Sequence, residues 1–331
     1  MERIPQATLV LANHRPETVS AQQMLMHEYD AIILEEPTDL NFAPMLGGQV
    51  SIEAYLENQD LEYPEFSRQM AESLRAHHQN GIRIHQIEPF IEHLLSIHER
   101  FAEGESPAEL PTDSILQQIY LAERKATAAL IHFYDTSVNG SFEEIVEAVK
   151  AFAHADAFRF ALRDRLRAAA MIDLLMLPGR NYIEAGPIHY PLLRELRQRL
   201  PYGYRLKVKF LMADAVRRLG YRRHLYGPGD LLTLLYRFHP KGRFRRESLL
   251  AAQALIYNKL IIKEEIAGTD EKYSHTCDEL DVGEITDTLS MADCRFLYPL
   301  IRNLSTVNTR KLVKRYFSEH RDQLPVQQRD V

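Results

Sequence analysis

The 331-residue sequence has no tryptophan and only two cysteines, Cys277 and Cys294. Two thiols are too few for a disulfide framework or a thiolate metal cluster, and they suit a reducing cytoplasm. No apolar run approaches the roughly 18–20 residues that a membrane-spanning helix needs, so none is expected. The opening segment, MERIPQATLV, lacks the basic stretch and apolar run of a secretion signal, which adds to the expectation of a cytoplasmic, unanchored protein. Positive charge is not in excess either. Forty Lys and Arg stand against 46 Asp and Glu, a net charge of −6, so the chain as a whole does not attract nucleic acid or an anionic membrane. The 14 glycines and 16 prolines are ordinary numbers for this length and exclude collagen-like and disordered classes. There is no Gly-x-Ser-x-Gly elbow and no phosphate loop, and neither cysteine lies beside a candidate histidine, so nucleophilic catalysis and nucleotide binding have no motif.

What is there alternates. TLVLANH at 8–14 is an apolar run of strand length, and Pro16 follows where a helix can begin without losing a hydrogen bond. A helical stretch over 17–28 leads into AIILEEP at 31–37, a second apolar run stopped by Pro37. A helix near 64–79, the turn Asn80-Gly81 and IRIHQIEPF at 82–90 form a third unit. NYIEAG at 181–186, a helix over 190–200 and YRLKVKFLM at 204–212 complete at least five candidate strands. Continuous apolar strands separated by helices predict an α/β fold with a parallel or mixed central sheet flanked by helices. Between the third and fourth strands lies a helical insertion at about 91–177. Ser141 and Glu144 there form a capping box, and a last helix is expected at about 154–177. The division expected is a core over 1–215 that includes the insertion, then a mainly helical region over 216–331 whose last dozen residues read as a solvated tail.

In an open parallel sheet, ligands bind beyond the carboxyl ends of the strands. His14, Glu35 and Glu36, Glu88, and the run from Gly186 to His189 occupy four such ends. Two imidazoles and several carboxylates form the usual ligand set for a divalent transition ion such as Mn, Co, Zn or Fe, and equally a metal-free acid/base set. Residue types alone do not choose between them. Glu35 and Glu36 straddle the pleat, so at most one points into a given site.

The stretches LVLANHRPETVSAQQMLMHEYDAIILEEP, GIRIHQIEPF and FALRDRLRAAAMIDLLMLPGRNYIEAGPIHYPLL occur in this order between residues 9 and 193. Together they resemble the TraB/PrgY/GumN/Tiki superfamily, which is related to ChaN-like and erythromycin-esterase-like proteins. The shared pattern is a strand ending in Gly-x-x-His, a strand ending in acidic residues, an Arg-Asp helix and a second Gly-x-x-His. The resemblance implies a divalent-metal-dependent hydrolase acting on a small-molecule or peptide substrate. His14, His189 and Glu35 or Glu36 would hold the ion, Glu88 would be base or further ligand, and Arg163 would steady an oxyanion or a carboxylate. Two positions depart from the pattern: Leu11 stands where the family has Gly, and Leu162 where many members have Glu before the Arg. These departures favour the alternative, a non-catalytic ligand-binding or regulatory protein of the same fold.

Charge is segregated in the second half. Residues 201–250 hold twelve Lys and Arg against three Asp and Glu, and residues 264–293 hold one Lys against ten. Arg217, Arg218, Arg222, Arg223, Arg243, Arg245 and Arg246, with Tyr221 and Tyr226 interleaved, raise nucleic-acid binding as a third reading. Pairing of this +9 segment with the −9 segment, or with a second copy of the chain in a homo-oligomer, is preferred, because no nucleic-acid motif accompanies it.

Overall fold

The computed structural model of the chain describes residues 4–57, 59, 61–240, 245–266 and 273–319. The expected tail at 320–331 and Arg243 lie outside the described residues. The chain runs β1 (Gln6–Leu11), α1 (Pro16–Met26), β2 (Ala31–Leu34), α2 (Phe42–Leu46), α3 (Ile52–Leu56), α4 (Pro64–Gln79), β3 (Arg83–Gln86) and α5 (Pro89–Ala102). It continues through α6 (Ile115–Asn139), α7 (Phe142–Leu175), β4 (Arg180–Ala185), α8 (Leu192–Arg199), β5 (Arg205–Phe210) and α9 (Ala213–Arg218). Five further helices close it: α10 (Pro228–Phe238), α11 (Glu247–Leu260), α12 (Ser274–Thr288), α13 (Met291–Ile301) and α14 (Thr306–Glu319).

The five strands form one wholly parallel sheet in the order β3-β2-β4-β1-β5. The chain fills it outward from β1 to β3, returns to insert β4 between β2 and β1, and ends on the far edge. This reversal puts the ends of β1, β2 and β4 side by side, which is where such sheets leave a crevice. The central strands are apolar because both their faces are covered. Leu9, Ile33 and Ile183 pack against Ala168, Met171 and Leu175 of α7 and the leucines of α8. Val10, Ile32, Leu34 and Tyr182 pack on the opposite face with α1 to α4.

Strand ends differ from the expected spans in ways that matter for the site. β1 stops at Leu11 and β3 at Gln86. His14 therefore sits on a loop three residues beyond its strand, and Glu88 is the N-cap residue of α5 rather than a strand terminus. Pro89 causes the latter: the residue before a proline is pushed out of the helical region, and proline is well placed in a first turn. The helix expected at 154–177 begins much earlier, at Phe142. The Ser141–Glu144 capping box forms, and the chain then runs without a break to Leu175. The amino-terminal half of α7 belongs to a second core with α10, α11, α13 and α14. The predicted insertion and the carboxyl-terminal helices thus share apolar contacts. No helix among the described residues is long and apolar enough to cross a membrane.

Candidate functional site

The pleat sorts the carboxylates into two groups. Ile33 faces α7, so Glu35, two residues on, continues on that side; Tyr182 faces α1, and so does Glu184. On the α7 side a chain of buried charges runs from Glu35 through His189 to Asp164. His189 Nε2 lies 2.7 Å from Glu35 Oε1, and its Nδ1 lies 2.6 Å from Asp164 Oδ1. Arg163 reaches Glu35 at 3.3 Å and Glu88 at 3.0 Å, and Arg237 reaches Asp164 at 2.9 Å. Arg167, fully buried, donates to the backbone carbonyls of Ile87 and Glu184, and Gly186 donates its N–H to Glu35 Oε2 at 2.7 Å. Arg163 and Arg167 stand one turn apart on α7, which is why one helix supplies two guanidiniums to the same strand ends.

These neighbours decide protonation. Burial alone would raise the pKa of Glu35, but the charge and hydrogen bond of His189, with Arg167 and Arg163, hold it well below the carboxylate range. Burial alone would discharge His189, but Glu35 and Asp164 reverse this and push it up to about 9. At neutral pH the pair is therefore an imidazolium, His189, beside an ionised Glu35. Arg163 is likewise held charged by Glu88 and Glu35 against the effect of burial.

The other side of the sheet is wetter. His14 Nε2 lies 3.8 Å from Glu184 Oε1, with 44% of its side chain exposed and its ring stacked on Phe66 at 5.0 Å. Glu184 itself is buried. Glu36 accepts from Gln86 at 3.0 Å, and burial together with the nearby Glu184 charge raises its pKa. His14 opens onto a cleft of about 490 Å³ between the strand ends and the carboxyl-terminal helices. Arg15, Tyr63, Asn258, Lys263 and Glu279 give it a polar wall. The Arg15 guanidinium stacks on Tyr63 at 4.1 Å and lies 3.7 Å from Glu279. Burial pushes Glu279 up to about 7, although Arg15 opposes it.

An uncharacterized protein from Archaeoglobus fulgidus is similar to this chain, at 28% identity over 291 residues that cover 88% of the chain and 97% of the relative. No family model matches the chain. No solved structure matches it.

Of the residues singled out in the sequence, Glu35, Glu88, Arg163 and His189 meet in the α7-side cluster. His14 and Glu36 lie across the sheet around Glu184. The two histidines occupy one edge of the sheet with the Glu35 and Glu184 carboxylates between them, and only His14 lines the cleft. In this arrangement Asp164 holds Nδ1 of His189, and Glu35 occupies Nε2, the nitrogen left to face a ligand. Among the described residues no group of three or more His, Cys, Asp or Glu is placed to hold a metal ion.

Asp164, Arg167, Glu184 and Arg237 are site residues that the strand-end rule does not deliver. A helical-face count on α7 places Arg163 and Arg167 together, and the alternation along β4 carries Glu184 to the face of Tyr182, the side on which Glu36 lies. Nothing local marks Arg237, which arrives from a helix 73 residues beyond Asp164. The basic 201–250 segment meets the acidic one directly: Arg223 pairs with Asp287 at 2.9 Å and Tyr221 donates to Asp281 at 2.8 Å.

Proposed function

We propose that the protein is a hydrolase of small polar or anionic substrates, with the cleft beside His14 as its active site. The observation that supports this reading is a solvent-accessible imidazole backed by a buried carboxylate, Glu184, at the crevice where the strand order reverses. Arg15 and Lys263 would hold an anionic group of the substrate. His14 would take a proton from the attacking water and return it to the leaving group, with the Glu184 carboxylate as a neighbouring negative charge 3.8 Å from its Nε2. The Glu35–His189–Asp164 chain is saturated by its own partners, and its part is positional: through Gly186 it fixes the loop that forms one wall of the cleft.

The test is a panel of carboxylic ester, peptide and phosphoester substrates, with His14→Gln measured beside the wild type. General acid–base catalysis predicts a loss of turnover of about 10²–10⁴-fold. A melting temperature unchanged within error is expected for this exposed side chain. Turnover that survives His14→Gln would defeat the assignment. A wild type that binds anions in the cleft but turns over no member of the panel would leave the non-catalytic binding protein as the better account.

A further inference from the structure

α6 is poorly covered for its length. Of its 25 residues only Ile119, Ala122 and Ala126 are buried. On the opposite face Leu121, Ile131 and Val138 are 52%, 54% and 67% exposed, and Arg124, Ala128 and Asp135 are exposed between them. The six positions are spaced by three, four, three, four and three residues. This is the a/d spacing of a helix that packs along a second helix.

We infer that this face of α6 is the contact between two copies of the chain, packed antiparallel about a two-fold axis. The order of the six residues supports a second copy over any other occupant. A two-fold contact requires each residue to suit its own mirror position, and in antiparallel pairs an a position faces a d position. With the axis midway between Ala128 and Ile131, Leu121 faces the partner's Val138 and Ala128 faces the partner's Ile131. Arg124 faces the partner's Asp135. Apolar thus meets apolar in four layers, counting both directions, and opposite charges meet in the remaining two. Among the described residues neither Arg124 nor Asp135 has an ion-pair partner within the chain.

The flanks agree. Lys125 lies over the exposed ring of Phe158 at the amino-terminal end of the seam. Glu143, Glu144 and Glu147 border its carboxyl-terminal end. Antiparallel packing brings each basic end to the acidic end of the other copy, whereas parallel packing would set like charges side by side.

Sedimentation equilibrium of the full chain between about 1 and 100 μM, a range that spans typical reversible homodimers, tests this. The wild type is expected to be a dimer. Arg124→Asp and Asp135→Arg should each weaken dimerisation by at least about tenfold, because like charges then face each other twice per dimer. The double variant Arg124→Asp/Asp135→Arg restores opposite charges and should return to within about threefold of the wild type. Ile131→Gln, a substitution that suits a helix, should weaken the dimer without any change of charge. Circular dichroism of each variant confirms that the helices are intact, as exposed positions predict. A monomeric wild type at the highest concentration, single charge variants that dimerise as well as the wild type, or a double variant no better than the singles would each overturn the inference.

Discussion

His189 holds the most consequential proton in the protein. It is 2% exposed, and its two ring nitrogens touch two carboxylates, so its charge joins those of Arg163, Arg167 and Arg237 in balancing Glu35 and Asp164. Removing the ring leaves both anions with fewer counter-charges in a dry site, a change that typically costs about 3–5 kcal/mol. His189→Gln should therefore lower stability by that order in denaturant unfolding, and metal content should be the same as in the wild type. The pH dependence follows from the same shift. The native state keeps its proton up to about pH 9, whereas the unfolded chain releases it near the ordinary histidine value of about 6.5. The stabilisation is complete below the unfolded value and is lost as pH rises through the folded one, which amounts to about 3 kcal/mol across that window. Wild-type stability should fall between pH 6.5 and 9 by this amount beyond what His189→Gln loses. A variant with the same slope as the wild type would show that His189 is not charged in the native state.

Helix ends connect distant parts of the chain. The Glu17 carboxylate, in the first turn of α1, accepts from the His275 and Thr276 backbone N–H groups at 2.9 and 2.7 Å and from the Thr276 hydroxyl at 2.6 Å, so it caps α12. In return the Glu265 carboxylate accepts from the N–H groups of Glu65 and Phe66 at the start of α4. Glu17→Ala should cost about 2 kcal/mol, above the usual value for a cap because the orphaned donors are buried. Amide exchange should rise mainly in the first turns of α12; protection unchanged there would refute the cap. No feature of the sequence links Glu17 to residue 276, since the contact is made by the tertiary fold. The elements themselves were far more legible. The apolar runs of β2 and β4 and the Ser141 cap of α7 announce structure that short-range chemistry enforces. Glu35 and Glu36 were legible as strand-end residues, and their division between two faces follows from the pleat. Their partners were not, because Asp164 and Arg237 join the site through packing of α7 against α10.

At the scale of the whole molecule, α7 is the element on which both cores depend. Its 34 residues span about 51 Å. Residues from Phe142 to Ala157 pack with the carboxyl-terminal helices, and Ala168, Met171 and Leu175 pack on the sheet. An unbroken helix makes loss of one core a perturbation of the other, so the wild type should unfold in a single transition with all probes coincident. Phe158 lies just past the last residue of the helical core, with its ring 56% exposed, so a substitution there changes the backbone with little loss of packing. Phe158→Pro removes one hydrogen bond of the helix and sets the ring against the preceding turn, which costs about 3 kcal/mol or more. Phe158→Ala removes the same side chain and keeps the helix, so it isolates the backbone effect. The proline variant should unfold in two separable steps by calorimetry, the alanine variant in one. If Phe158→Pro is destabilised yet still melts in a single step, the cores are coupled through contacts other than α7, and the helix is a shared wall rather than the link between them.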